Sequence, residues 1–140
     1  MNLISSKYYV EIPLHIELGI KKKKKYYLNL NSYRNWQFRV SNAIKQEYAS
    51  ILLNNNSLTH LPKFDKIILI YWIYYPTNRK FDVDNYGAIL GKFFQDTLVK
   101  AGKIADDNYE YIPVITYRFG GVDKNNPRCV VEIKTLIEEK

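Results

Sequence analysis

The run IILIYWIYY, from Ile67 to Tyr75, constrains this chain more than any other stretch. Lys66 precedes it and Pro76 ends it. At nine residues it is far short of the roughly 20 needed to cross a bilayer as a helix. Its β-branched and aromatic side chains favour extended backbone. Unbroken apolarity predicts burial on both faces, in the centre of a sheet or at a subunit interface. No other stretch reaches about 18 uncharged apolar residues, so no transmembrane helix is predicted. The whole chain, 1–140, is read as one domain, with a hydrophobic share of 46% to fill its core.

Other segments arrange themselves around that strand. YYVEIPLHIEL, Tyr8 to Leu18, alternates, placing Val10, Ile12, Leu14, Ile16 and Leu18 on one face of a predicted strand. YYLNLN returns as a short second strand. From Ser32 the period becomes helical through Tyr33, Trp36, Val40, Ala43, Ile44 and Ile51, which predicts a helix capped at Asn31 or Ser32 and running to about Leu53. A second helix is predicted over NYGAILGKFFQDTLVKAG, with Asp84 as N-cap, Gly102 as the stop, and Ile89, Phe93, Phe94 and Leu98 as its apolar stripe. Gly87 and Gly91 weaken that helix by roughly 1 kcal/mol each, tolerable where something packs closely against them. ADDNYEYIPVITYRFGG reads as a turn and a strand, with RCVVEIKTLI pairing to it across GGVDKNNP. The expected fold is α+β, a small, mainly antiparallel (mixed) sheet with two helices packed on one side.

Charge narrows the function. Twenty-one Lys and Arg against fourteen Asp and Glu leave a net charge of +7, which makes nucleic acid the leading class of partner. Lys21, Lys22, Lys23, Lys24 and Lys25 form an unbroken run. Such a block reads as a solvated loop, and a mobile basic loop beside a site also serves as a clamp on phosphates. The single cysteine, Cys129, excludes an internal disulfide and a thiolate zinc cluster, and its strand context points to burial. The N-terminus lacks the charged-then-apolar order of a signal peptide, so a cytoplasmic location is expected. His15 and His60 are read as incidental.

Against this basic background the acids gather at two points, RKFDVDN and ADDNYEY. In extended backbone Asp82 and Asp84 point to one side, whereas adjacent Asp106 and Asp107 diverge, so only one of the second pair need join the first. Three carboxylates about 5 Å apart would repel by roughly 3 kcal/mol per pair at an effective dielectric near 20. A cation relieves that cost, and oxygen-only ligation suits Mg²⁺, with Mn²⁺ a substitute. The bland alternative is that Asp84 caps a helix and Asp106-Asp107 makes a turn. With a metal, the pattern fits phosphodiester hydrolysis aided by a nearby lysine.

As a set, FDVDN, a helix ending DTLVKAG, and IADDNYEYI resemble the RusA family of Holliday junction resolvases, found in phages and prophages. The resemblance covers Arg79 to about Ile112 closely, and LNLNSYRNWQF and the closing strand more loosely. It implies a homodimeric, Mg²⁺-dependent endodeoxyribonuclease that resolves four-way junctions and other branched DNA by paired nicks, in recombination and repair, inside a bacterial host or phage-infected cell. No membrane and no small-molecule cofactor are implied. Asp82 and Asp84 match the two motif aspartates, and Asp107 matches the second acid of the downstream pair, as catalytic and metal-binding residues. The family lysine lies four residues after the second aspartate and four before the helix aspartate. Counting forward from Asp84 reaches Ala88, and counting back from Asp96 reaches Lys92, so this helix is one turn longer and Lys92 is assigned, with Lys80 and Lys103 in reserve. Arg79 and Lys80 join the lysine run as DNA contacts, and Asp106 and Asn85 complete the candidate set. The alternatives are a divergent junction- or DNA-binding phage protein without nuclease activity, and a basic interaction protein whose acids only cap and turn.

Overall fold

The computed structural model describes the backbone of residues 2–138 and the side chains of residues 6–136. The central run forms β4 (Ile67–Tyr75), one strand of a four-stranded sheet with β1 (Asn2–Ile12), β5 (Val114–Val122) and β6 (Arg128–Glu138). Their order is β1-β6-β4-β5, with β6 antiparallel to both β1 and β4, and β5 parallel to β4. A hairpin of β2 (His15–Leu18) and β3 (Lys24–Tyr27) stands apart from this sheet. The helices are α1 (Leu30–Tyr33), α2 (Phe38–Asn54) and α3 (Val83–Lys100). The fold is α+β, as expected from the sequence.

The expected pairing of RCVVEIKTLI with VITYRFGG does not form. β6 instead inserts between β1 and β4, because Cys129, Val131 and Ile133 are fully buried and demand an interior position. β5 leaves Val114, Ile115, Phe119 and Val122 exposed and takes the edge. Parallel strands need a crossover connection, and α3 supplies it between β4 and β5. That crossover sets the acids at either end of one helix.

Alternation along the strands holds. Val10, Ile12, Ile67, Leu69, Tyr71 and Ile73 are at most 3% exposed and pack with Ile44, Tyr48 and Leu52 of α2 and Leu90, Phe94 and Leu98 of α3. The predicted strand from Tyr8 to Leu18 is two strands, broken at Pro13 and Leu14, since proline offers no N–H to a ladder. Leu14 and Ile16 still bury, and Leu28 N donates to Leu14 O at 2.9 Å to close the hairpin's base. The expected single first helix is also broken. Asn29 caps α1 by accepting from Ser32 N, and the chain then turns extended at Gln37. Trp36 sets this break, meeting Tyr26 and Tyr33 edge-on with ring centroids 6.1 and 5.6 Å away. Among the described residues, three helices therefore replace the two expected.

Candidate functional site

α3 positions most of the candidate residues. Its N-cap is Asp82 rather than Asp84, and Asp82 makes no side-chain capping hydrogen bond, so its exposed carboxylate is free. Asp84 lies in the first turn, where the positive end of the helix dipole favours a carboxylate. Asn85 is engaged in building: its Oδ1 accepts from Asn31 N at 3.3 Å and ties α1 to α3. At the other end Gly102, with φ of +71°, closes the helix as its sequence position predicts, and Ala101 and Lys103 donate back to the carbonyls of Thr97 and Leu98.

Asp82 lines a cleft of about 530 Å³ with Thr77, Arg79, Lys80 and Phe119. A neighbouring cleft of about 540 Å³ shares Thr77 and Arg79 and adds His15, Lys25, Tyr27 and Tyr86. Lys25, Arg79 and Lys80 thereby line two adjoining clefts, one of which also holds Asp82. The lysine run is not all loop: Lys24 and Lys25 belong to β3, paired with Leu18 and Glu17, while Lys21, Lys22 and Lys23 form the exposed hairpin tip. Gly19 makes that tip possible. At its φ of +132° a Cβ would meet Lys22 O at 2.4 Å.

Two tyrosines pack against α3 at its glycines. Tyr71 in β4 and Tyr117 in β5 are register partners with ring centroids 5.6 Å apart. Tyr117 lies flat on α3 where Gly87 has no side chain, and a Cβ there would come within 2.3 Å of the ring. Burial raises the Tyr117 pKa, and the charge of Asp84 adds to it. Tyr71 is pushed far up by complete burial, against the hydrogen bond from Gln95 Nε2 at 3.1 Å, with a further, smaller push from Asp107. Neither tyrosine is singled out by the sequence; the paired glycines, one turn apart, were the available sign that rings pack there.

In the turn after α3, Asp106 is occupied: its carboxylate accepts from Asp107 N at 2.7 Å and from Asn108 Nδ2 at 3.0 Å. This frees Asp107 to line a cavity of about 320 Å³ with Lys45, Tyr48, Asp96, Lys100 and Asp106. The Asp107 carboxyl is raised above its ordinary value by burial first, then by Asp106, with Asp96 adding repulsion. Lys92 is exposed, about 12 Å along the helix axis from Asp84, with Nζ 5.9 Å from the centre of the Tyr33 ring. Lys103 is bound elsewhere, donating from Nζ to Leu61 O at 2.8 Å.

Hard oxygen donors and the mutual repulsion at Asp107 fit a divalent cation in chemistry. In geometry, no three His, Cys, Asp or Glu side chains among the described residues converge to hold one. Asp82 and Asp84 stand at the start of α3 and Asp107 lies beyond its end, and the three do not form a single metal-holding group. No helix among the described residues is long and apolar enough to cross a membrane. Compared with protein-family models and with curated proteins, the chain matches none.

Proposed function

We propose that this chain is a Mg²⁺-dependent, structure-selective DNA endonuclease that resolves four-way junctions by paired phosphodiester nicks. The observation that carries the reading is the gathering of Arg79 and Lys80 with Asp82 in one cleft, beside a second cleft that shares Arg79 and adds Lys25. The ordered segments FDVDN, DTLVKAG and IADDNYEYI, similar to those of RusA resolvases, supply the reaction class.

Asp82, Asp84 and Asp107 are the oxygen donors that would hold the metal. When bound, Mg²⁺ supplies Lewis-acid polarisation of the phosphate and activation of water. The protein's own part is to seat the backbone: Arg79, Lys80 and Lys25 neutralise phosphates along the two clefts. Lys92 supplies positive charge on the exposed side of α3, two turns beyond Asp84. Asp106, by fixing the turn, holds Asp107 in position. Two such sites about a two-fold axis match a junction of two-fold symmetry, and the setting is the cytoplasm of a bacterial host or phage-infected cell.

The test is cleavage of a four-way junction, a nicked duplex and a linear duplex, each with and without Mg²⁺. Nicking of the junction alone, in Mg²⁺ alone, is expected. Asp82→Asn should bind the junction as wild type does and fail to nick it; nicking at the wild-type rate by that variant would remove the assigned site.

A second reading has its own observation. Ala88 stands where the family lysine is counted from Asp84, and the Lys92 ammonium rests near Tyr33. A protein that binds junctions without cutting them fits that arrangement. Tight junction binding with no nicking in Mg²⁺ or Mn²⁺ is its signature.

A further inference from the structure

The hairpin of β2 and β3 has two unlike faces. Leu14, Ile16 and Leu28 bury one of them, with Tyr26 packed beside the same core. The other carries the register partners His15 with Tyr27 and Glu17 with Lys25. Tyr27 leaves 44% of its surface exposed, and His15 meets its ring at 53° with centroids 5.6 Å apart. The histidine therefore backs the ring without covering it.

Both rings line the cleft of about 540 Å³ that adjoins the cleft of Asp82, and Tyr75 and Tyr86 line it as well. Hydrogen-bonding groups gather there: the Tyr86 hydroxyl meets the side chains of Asn29 and Tyr75. Lys25 and Arg79 bring positive charge, and neither has an ion pair among the described residues. Arg79 N donates to Thr77 Oγ1 at 3.2 Å, which fixes the loop that both clefts share. A cross-strand ring pair steadies a hairpin by roughly 0.2–1 kcal/mol, but that role asks for no further rings and no cations around it. A backbone phosphate alone would use the cations and leave the rings idle. Aromatic walls, a few polar groups and unpaired cations together suit a flat heteroaromatic ring that carries phosphate.

We propose that this cleft receives one DNA base swung out of its stack, against the Tyr27 ring, with the adjoining phosphate on Arg79. The inference rests on the proposed choice of DNA as substrate and adds the feature of it that is recognised. Unstacking a base costs a few kcal/mol, least where pairing is already broken. A branch point therefore yields a base to the cleft more readily than linear duplex does, which makes the cleft a source of structure selectivity. Because Arg79 lines both clefts, the captured base belongs to a nucleotide next to the phosphate offered to Asp82.

The test is binding, in EDTA so that nothing is cut, of four-way junctions in which each nucleotide around the crossover in turn lacks its base. Circular dichroism confirms the fold of each variant. With wild type, one position should weaken binding by at least about fivefold, the lower end of base–aromatic stacking. With Tyr27→Ala that position should bind like the others, and with Tyr27→Phe the contrast should remain. Tyr27→Leu keeps apolar bulk on β3 and should lose the contrast, so a loosened hairpin would not account for it. Wild type indifferent to every missing base, a contrast that survives Tyr27→Ala, or its loss in Tyr27→Phe overturns the base site. A contrast without nicking once Mg²⁺ is added sinks the nuclease reading alone. Junction nicking without any contrast sinks the base site alone, and a protein that binds none of these junctions sinks both.

Discussion

Single residues carry the sharpest consequences at α3. Glycine in a helix interior ordinarily costs about 1 kcal/mol relative to alanine, so Gly87→Ala would stabilise an open helix. Here the added Cβ would collide with the Tyr117 ring at 2.3 Å, and a net loss of roughly 1–2 kcal/mol is expected. Gly91→Ala meets the Gln95 amide, itself hydrogen-bonded to the Tyr71 hydroxyl, at 3.2 Å and should cost less than Gly87→Ala; chemical denaturation of the two variants separates them. Had both behaved alike, the ring packing would not be what retains Gly87. Burial also raises the tyrosine hydroxyls. Tyr86 is pushed up to about 12 by burial, with Tyr75 adding, and Tyr48, Tyr71 and Tyr117 are raised above their ordinary value of 10.0 as well. An acid whose folded pKa is raised holds its proton longer in the folded state. Its contribution is therefore complete below the unfolded pKa and falls as pH rises beyond it. Stability should thus decline from about pH 10 upward, read as a falling midpoint of chemical denaturation followed by circular dichroism; a midpoint that stays level above about pH 10 would contradict the burial.

At the scale of elements, unbroken apolarity made β4 legible and helical spacing made α3 legible, but the expected burial of both faces of β4 was not met, since Ile68 and Trp72 on its outer face are only half-buried. The helix break at Arg34–Gln37 was not legible, since Trp36 satisfies helical spacing yet folds against Tyr26, a contact across the hairpin. The pairing of β6 was misread for a related reason. Adjacent strands in sequence usually pair, but the fully buried face of β6 gains more between β1 and β4 than beside an exposed edge strand. The hairpin of β2 and β3 carries its own prediction. Replacing Lys21, Lys22, Lys23, Lys24 and Lys25 with glutamine should weaken junction binding and flatten the dependence of log affinity on log salt, by about 0.9 per lost phosphate contact. An unchanged salt slope would mean that the tip touches no phosphates. The strand pairing in β3 adds a distinction: Lys25, fixed in the cleft beside Arg79, should matter individually more than any lysine of the tip.

For the whole molecule, β4 links the core to everything else: it pairs with both neighbours, buries its inner face under α3, and begins the crossover that carries the acids. Thermal unfolding should accordingly be a single transition, with tryptophan fluorescence from Trp36 and Trp72 coinciding with far-ultraviolet dichroism. An early fluorescence change would show that the hairpin layer around Trp36 melts apart from the sheet. The sequence alone determined the α+β class, the burial of Ile67, Leu69, Tyr71 and Ile73, the span of α3 and its glycine stop, and the turn that releases Asp107. Each of these follows from spacing over a few residues, where backbone geometry leaves little choice. Only the tertiary structure decided the strand order, the packing of Tyr117 on Gly87, the removal of Lys103 to the Leu61 carbonyl, and the uncovered face around Trp72. Those depend on which distant segments bury the most surface together, a competition among alternative pairings that no local period encodes.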